Sequence, residues 1–374
     1  MDNLKELNQL TKKLQKEYGV GVVMNLANGE QPVPIRRFPV SSPKIGDLLG
    51  GGGTPQGRII EIYGPESVGK TSLACYLAGQ LQNTDVMVND TKGELNTRKG
   101  TVVYIDAENS IDPDYALIQG FDVKKSILVQ PDSGEQALDI AIAYASSGLV
   151  DMIVIDSIAA LAPLAELEGA MTDQQMGAQA RMLSKFLRKA STILAKNNCT
   201  IICINQLRQK IGVMWGSNET TAGGNALKFY ASIRIDVRKV ELIMEKDKAI
   251  GLRSRVKTVK NKTAVPMKVY EIDFFFDRGI DSYLEWIDFA ISGAIIKQSG
   301  AWFTIPSLPD KKFQGKNAVM EYYLDPEHKK EYDEVVELVK VSVFGGFQKF
   351  DEVIREVGEV PNFVDREEVE EQPY

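Results

Sequence analysis

The octet GPESVGKT at residues 64–71 fits the pattern GxxxxGK[ST], and those residue types suit the binding of phosphate. Gly64 and Gly69 let the backbone curl, so that amide N–H groups and a helix N-terminus converge on anionic oxygens. Lys70 reaches the outer phosphates and the Thr71 hydroxyl ligates Mg²⁺. Average composition yields this pattern by chance about once in a hundred chains of this length. Here it also lies between a predicted strand, RIIEIYG, and a predicted helix, SLACYLAGQLQ. The run Gly64, Pro65, Glu66, Ser67, Val68, Gly69, Lys70, Thr71 and Ser72 is therefore assigned to the phosphates of a nucleotide.

Three further groups stand at the ends of apolar runs, where open α/β sheets bind their ligands. Asp156 ends MIVID and is placed to hold the Mg²⁺ shell. Glu108 follows VVYIDA and suits orienting or deprotonating an attacking water, or simply capping the next segment; Asp106 is its nearest rival. Gln206 follows TIICIN, and a neutral amide there can bond a γ-phosphate and release it after hydrolysis. Together these residues describe a nucleotide-driven switch.

Gln206 also opens a puzzling loop. Residues 206–225, QLRQKIGVMWGSNETTAGGN, hold Met214 and Trp215 amid glycine, threonine and charge, with no periodicity to bury them. Structureless loops of this length are uncommon in compact domains, and are usually functional or disordered. On residue type alone, buried packing or a protein contact is the expectation for Trp215.

The elements that must position these groups follow from periodicity. RIIEIYG, TVVYIDA, SILVQP, MIVIDS and TIICINQ are short and apolar at nearly every position, as strands covered on both faces are. Helical patterns between them, such as GEQALDIAIAYASSG, make a doubly wound, largely parallel α/β sheet of P-loop type. ASIRIDVRKV and LRSRVKTVKNK alternate apolar with basic residues, the pattern of strands with one wet face. Leu4, Leu7, Leu10, Leu14 and Tyr18 recur at helical spacing over residues 3–17. The expected organisation is an N-terminal helical segment (1–34), an ATPase core (35–281), a small C-terminal α+β domain (282–345) and an extension with an acidic tail (346–374).

The formal net charge of −7 argues against a nucleic-acid binder, but the charge is unevenly spread. Residues 359–374 hold six acidic side chains and one basic, so five of the seven net charges sit there and any basic surface must be local. That end reads as a solubilising tail or a regulatory one. Cys75, Cys199 and Cys203 form no CxxC, and the single histidine, His328, lies far away; they read as core residues rather than zinc ligands. No charge-free run is long enough to span a membrane, and the charged N-terminus lacks a signal-peptide core, so a cytoplasmic protein is expected.

In combination the motifs closely resemble the bacterial RecA recombinases. RIIEIYGPESVGKT, YIDAENSIDPDYA, QPDSGEQALDIA, the run from VIDSIAALAPL to MGAQARMLSK, the run from INQLRQK to RIDVRKV and VKTVKNKTAVP occur in family order over residues 57–266. The resemblance implies an ATP- and Mg²⁺-dependent DNA recombinase. Such a protein forms a head-to-tail filament of its own copies on single-stranded DNA and pairs it with double-stranded DNA during repair and the SOS response to DNA damage. It further implies that Glu108 activates water, that Gln206 senses nucleotide, and that Asp112 and Tyr115 lie beside the adenine. Lys260 and Lys262 of VKNK would reach a neighbouring subunit's ATP. The N-terminal helix would dock on the adjacent protomer.

Two segments, residues 166–181 and the opening loop, would meet DNA. Met176, Met214 and Trp215 would fill gaps between unstacked bases, while Arg181, Arg208, Gly223, Gly224 and Asn225 would serve the phosphates. Lys316 is a candidate duplex contact. The chain departs from the family at Val68 (usually serine), Asn109 (histidine), Ala222 (threonine) and Trp215 (phenylalanine), and has a longer link, NTDVMVNDTKGELNTRKG, with no assigned role. A hexameric DNA motor of the same fold, and a regulator using ATP only as a structural ligand, are the competing readings. Closed rings would mark the motor, whereas intact Lys70, Glu108, Asp156 and Gln206 oppose the regulator.

Overall fold

The structure is a computed structural model that describes residues 2–19, 22–24, 35–89, 95–169, 177–209 and 219–344. Contacts divide the chain into two units, residues 1–36 and 37–374. The first holds helix α1 (Asp2–Tyr18), one residue longer at each end than the periodicity predicts, with Leu7, Leu10 and Tyr18 exposed along its apolar stripe.

The second unit opens with β1 (Arg37–Pro39) and β2 (Gly53–Pro55), an antiparallel pair around α2 (Pro43–Leu49), which Ser42 caps by accepting from the Ile45 N–H. Next come β3 (Ile59–Gly64) and α3 (Lys70–Asn83). The long link forms a separate antiparallel ribbon, β4 (Asp85–Asn89) with β5 (Leu95–Lys99). Arg98 fastens that ribbon to the body through a two-pronged bond to Asp151, at 2.5 and 3.2 Å.

Alternation then sets in: β6 (Val102–Asp106), α4 (Pro113–Ile118), β7 (Ile127–Val129), α5 (Gly134–Ser146) and β8 (Met152–Asp156). After α6 (Leu164–Glu168) and α7 (Ala178–Asn197) come β9 (Thr200–Gln209), β10 (Glu219–Thr221) and α8 (Ala226–Tyr230). The sheet is completed by β11 (Ile233–Glu245), β12 (Lys248–Asn261), β13 (Val269–Phe275) and β14 (Gly279–Ile280). Its order is β14-β13-β12-β11-β3-β9-β8-β6-β7, with β10 beside β9. The six strands from β11 to β7 are parallel, while β12, β13, β14 and β10 run antiparallel to their neighbours. The α/β fold with a largely parallel sheet is the one the sequence predicts.

Side-chain alternation explains the continuous apolar runs. Ile60, Ile62, Val102, Tyr104, Met152, Val154, Ile202 and Ile204 enter one core with Leu73 and Leu77 of α3. Their chain neighbours, including Ile153, Ile155, Ile201 and Cys203, enter a second core with α5 and α7. Two expectations change. SILVQP is not covered on both faces, because β7 is the edge strand and Ile127 and Leu128 are exposed. The loop after TIICIN is shorter than predicted, because β9 runs on to Gln209 and Leu207–Gln209 pair with β10.

A third core joins α9 (Tyr283–Ser292), strands β15 (Lys297–Ser299), β16 (Trp302–Ile305) and β17 (Leu308–Gln314), and helices α10 (Lys316–Leu324) and α11 (Lys329–Phe344). Ile287, Phe303, Tyr323 and Val339 are buried at its centre.

Candidate functional site

At the C-terminal end of β3 the chain turns sharply. A Cβ on Gly64 would stand 2.1 Å from the Val237 carbonyl oxygen, so β11 excludes any side chain there. Ser67 (φ 55°) and Gly69 (φ 89°) adopt left-handed conformations that curl the loop back before α3 starts at Lys70. This geometry aims backbone N–H groups and the positive end of a 14-residue helix at one point, as anion sites require. Lys70 Nζ donates to the Pro65 carbonyl at 2.5 Å, and burial pulls its pKa down against the charges of Asp156, Glu108 and Glu66.

Thr71 Oγ1 donates to Asp156 Oδ2 at 2.9 Å, and the same oxygen accepts from the Tyr104 hydroxyl at 2.7 Å. Burial raises the Asp156 pKa; the two hydroxyl bonds oppose that shift, and the charges of Glu108 and Asp106 add to it. Hard oxygen donors of this kind, one hydroxyl beside one carboxylate, fit Mg²⁺. Tyr104 had no mark in the sequence beyond its place in an apolar strand.

Glu108 lies opposite. Its Oε1 accepts from Ser157 Oγ at 2.5 Å and from Gln206 Nε2 at 3.3 Å, which draws the ends of β6 and β8 to the side of β9. Asp106, its rival, is buried and occupied: Ser110 N, Ile111 N and Gln130 Nε2 all donate to it. Asp112 caps α4, accepting from the N–H groups of Asp114 and Tyr115 at 2.9 and 3.2 Å. The Tyr115 hydroxyl meets Ser72 Oγ at 3.0 Å.

Tyr115 and residues 67–72 line a cleft of about 380 Å³ whose far wall is Lys239, Leu242, Leu252, Phe274 and Phe276. None of those five was singled out in the sequence. They come from β11–β13 and the turn after it, far along the chain, and nothing local sets them apart. Lys260 and Lys262 are not among the cleft's lining residues. Lys260 Nζ donates to the Lys228 and Phe229 carbonyls at the end of α8, and Lys262 is exposed. Asn261 between them is buried; it accepts from Thr263 and Ala264 and donates to Leu49, fixing the turn.

A second cleft, of about 360 Å³, brings together parts of both segments assigned to DNA: Glu166, Gly177 and Ala180 from one, Arg208, Gly223 and Gly224 from the other. Both glycines have φ 78°, and a Cβ on Gly224 would come within 2.9 Å of Ala180 Cβ. Arg181 lies in the first turn of α7, its N–H bonded to the Gly177 carbonyl, and Asn225 is the N-cap position of α8. Met176, Met214 and Trp215 lie outside the described residues, as does the acidic tail. Lys316 pairs with Asp288. One strand lies beside the P-loop strand and reaches the second cleft. On β9, Gln206 is in register with Gly64 and bonded to Glu108, while Arg208, two residues on, lines the second cleft.

A family model described as the RecA N-terminal domain matches residues 5–281. "Protein RecA" of Chloroherpeton thalassium is 45% identical over 318 residues, spanning 85% of this chain and 84% of that protein. "Protein RecA" of Mycoplasma mycoides subsp. mycoides SC is 43% identical over 340 residues, 91% of this chain and 93% of that one. The Bartonella quintana protein of the same name is 45% identical over 307 residues, 82% of this chain and 84% of its own length.

Proposed function

The chain belongs to the RecA family, and on that premise we propose that it is a DNA-dependent ATPase that assembles as a helical filament on single-stranded DNA and exchanges strands with homologous duplex DNA in the cytoplasm. The observation that carries this reading is the single strand, β9, on which Gln206 bonds Glu108 and Arg208 lines the second cleft.

In this reading Lys70 and the amides of residues 66–72 hold the nucleotide phosphates, with Asp112 and Tyr115 toward the base. Thr71 and Asp156 are the residues that hold Mg²⁺, which when bound offsets charge on the transferring phosphoryl group. Ser157 and Gln206 fix one oxygen of Glu108, leaving the other to orient the attacking water and take its proton. Gln206 passes between Glu108 and the γ-phosphate and so reports nucleotide state. Lys260 and Lys262 act across the protomer boundary, where a cation stabilises transferring charge. Arg181, Arg208, Gly223, Gly224 and Asn225 bind DNA phosphates, and Met176, Met214 and Trp215 separate bases.

Electron microscopy of the protein with single-stranded DNA and a nonhydrolysable ATP analogue tests the assembly, and a joint-molecule assay tests the exchange. Open helical filaments that pair homologous duplex support the proposal. Closed rings that unwind duplex directionally replace it with the motor reading.

A further inference from the structure

Asn205 is completely buried within β9, beside the chain returning from β10, and no step above uses it. Its Nδ2 donates to Glu61 Oε1 at 3.0 Å and to the Ala222 carbonyl at 3.1 Å. Its Oδ1 accepts from the Gln206 N–H at 2.9 Å. The Ala222 N–H donates in turn to the Gln206 carbonyl at 3.2 Å. One side chain therefore bonds both the residue that touches Glu108 and the residue that precedes Gly223. Glu61, with no exposed surface in the middle of β3, is itself paired with Arg234 Nε of β11 at 2.5 Å.

The Glu61 carboxylate decides which way the amide points. An ionised carboxylate accepts and does not donate, so only the NH₂ end of Asn205 can face it. The oxygen is then left for the Gln206 N–H, and the second amide proton for the Ala222 carbonyl. Turned over, the amide would set oxygen against the carboxylate and against a carbonyl, and NH₂ against an N–H. Three such contacts in a dry interior are prohibitive. Arg234 supplies the counter-charge without which a buried carboxylate is costly.

We propose that Asn205, its amide oriented by the Glu61–Arg234 pair, is the positioning residue that couples the nucleotide cleft to the glycine-lined cleft. A shift of the Gln206 backbone toward or away from nucleotide is passed through one rigid amide to Ala222, and so to Gly223 and Gly224. The proposal rests on the reading of Gln206 as the nucleotide sensor.

Asn205→Asp is close to isosteric and keeps an acceptor for the Gln206 N–H, but sets a carboxylate against Glu61 and the Ala222 carbonyl. Asn205→Ala removes all three bonds and carries the same decision if the aspartate variant does not fold. Thr221→Val is the control, since the buried Thr221 hydroxyl of β10 has no hydrogen-bond partner among the described residues. Amide hydrogen exchange over residues 219–225 of the full chain, with a nonhydrolysable ATP analogue and with ADP, is the first readout. In the wild type and Thr221→Val, exchange at Gly223 and Gly224 should differ between the nucleotides by about fivefold or more. In both Asn205 variants it should differ by less than about twofold, while the amides of residues 66–72 still respond to nucleotide.

The second readout is the ratio of hydrolysis rates with and without single-stranded DNA, which should fall by about tenfold in the Asn205 variants. A wild type whose exchange responds to nucleotide, but whose hydrolysis ignores DNA, keeps the coupling and removes the recombinase reading. Nucleotide-insensitive exchange at Gly223 and Gly224 in the wild type overturns the coupling. So does an Asn205 variant that retains both responses.

Discussion

Glu108 and Asp156 are two carboxylates in different surroundings, and on the proposed reading those surroundings suit them to different work. Glu108 has one oxygen held by Ser157 and Gln206, which is how a base is kept aimed at water. Glu108→Gln should therefore retain ATP and DNA binding and lower the turnover number by roughly 10²–10⁴-fold, leaving the protein locked in its ATP form. Steady-state ATPase and nucleotide-retention assays check this, and normal turnover would assign the base elsewhere. Asp156 is buried, and burial raises its pKa. A carboxyl so shifted contributes stability that is fully present below its unfolded pKa and is lost as pH rises through the folded value, so its ionised form is a cost near neutrality. Mg²⁺ offsets that cost. The gain in melting temperature from Mg²⁺ with nucleotide should thus be largest at neutral pH. It should shrink on acidification before ordinary carboxylates titrate. In Asp156→Asn the gain should be small and should lose this part of its pH dependence; an unchanged profile would remove Asp156 from the metal site.

At the scale of elements, legibility follows the range of the cause. The P-loop, Glu108 and Asp156 were marked in the sequence because each is tied to a local event, a strand ending in a turn or a helix beginning, whereas Gln206 lies inside β9, which runs on to Gln209. Alternation in ASIRIDVRKV likewise matched a strand with one buried face. The far wall of the P-loop cleft was not readable, because Leu252 and Phe274 line it only once β12 and β13 have added to a sheet built from residues far upstream. Asn205 was hidden for the same reason: its partner Glu61 sits 144 positions away. The edge strand β7 misled because an apolar run looks alike whether covered or waiting to be covered. Glycines separate the two kinds of cause directly. Gly223 and Gly148 both have positive φ, but a Cβ on Gly223 would meet Leu183 at 2.3 Å, whereas nothing lies within 4 Å of one on Gly148. Alanine at either position should cost about 1–2 kcal/mol of stability for the left-handed backbone, measured by denaturant unfolding. Gly223→Ala alone should also weaken single-strand DNA binding, because the cleft must widen. Equal DNA affinity in the two variants would detach Gly223 from that cleft.

For the whole molecule the governing quantity is charge and where it sits. A net charge of −7 is unpromising for a protein whose clefts present Lys70 and Arg208. No helix among the described residues is long and apolar enough to cross a membrane. Removing residues 360–374 takes away five acidic side chains and one basic, bringing the formal charge to −3. An acidic segment competes with phosphate for the same basic surface and adds long-range repulsion to an approaching polyanion. The shortened protein should therefore bind DNA more tightly, and duplex more than single strand, because duplex packs phosphate charge more densely along its axis. Both contributions are screened with a Debye length near 10 Å at 0.1 M salt. The advantage of the shortened protein should thus be greatest at low ionic strength and fade as salt is raised, whereas a contact made by packing would persist. Fluorescence anisotropy with a labelled duplex, titrated at several salt concentrations against the full chain, reads the difference. Equal affinities at low salt would leave the acidic end as a solubilising segment and place the control of duplex entry within the core.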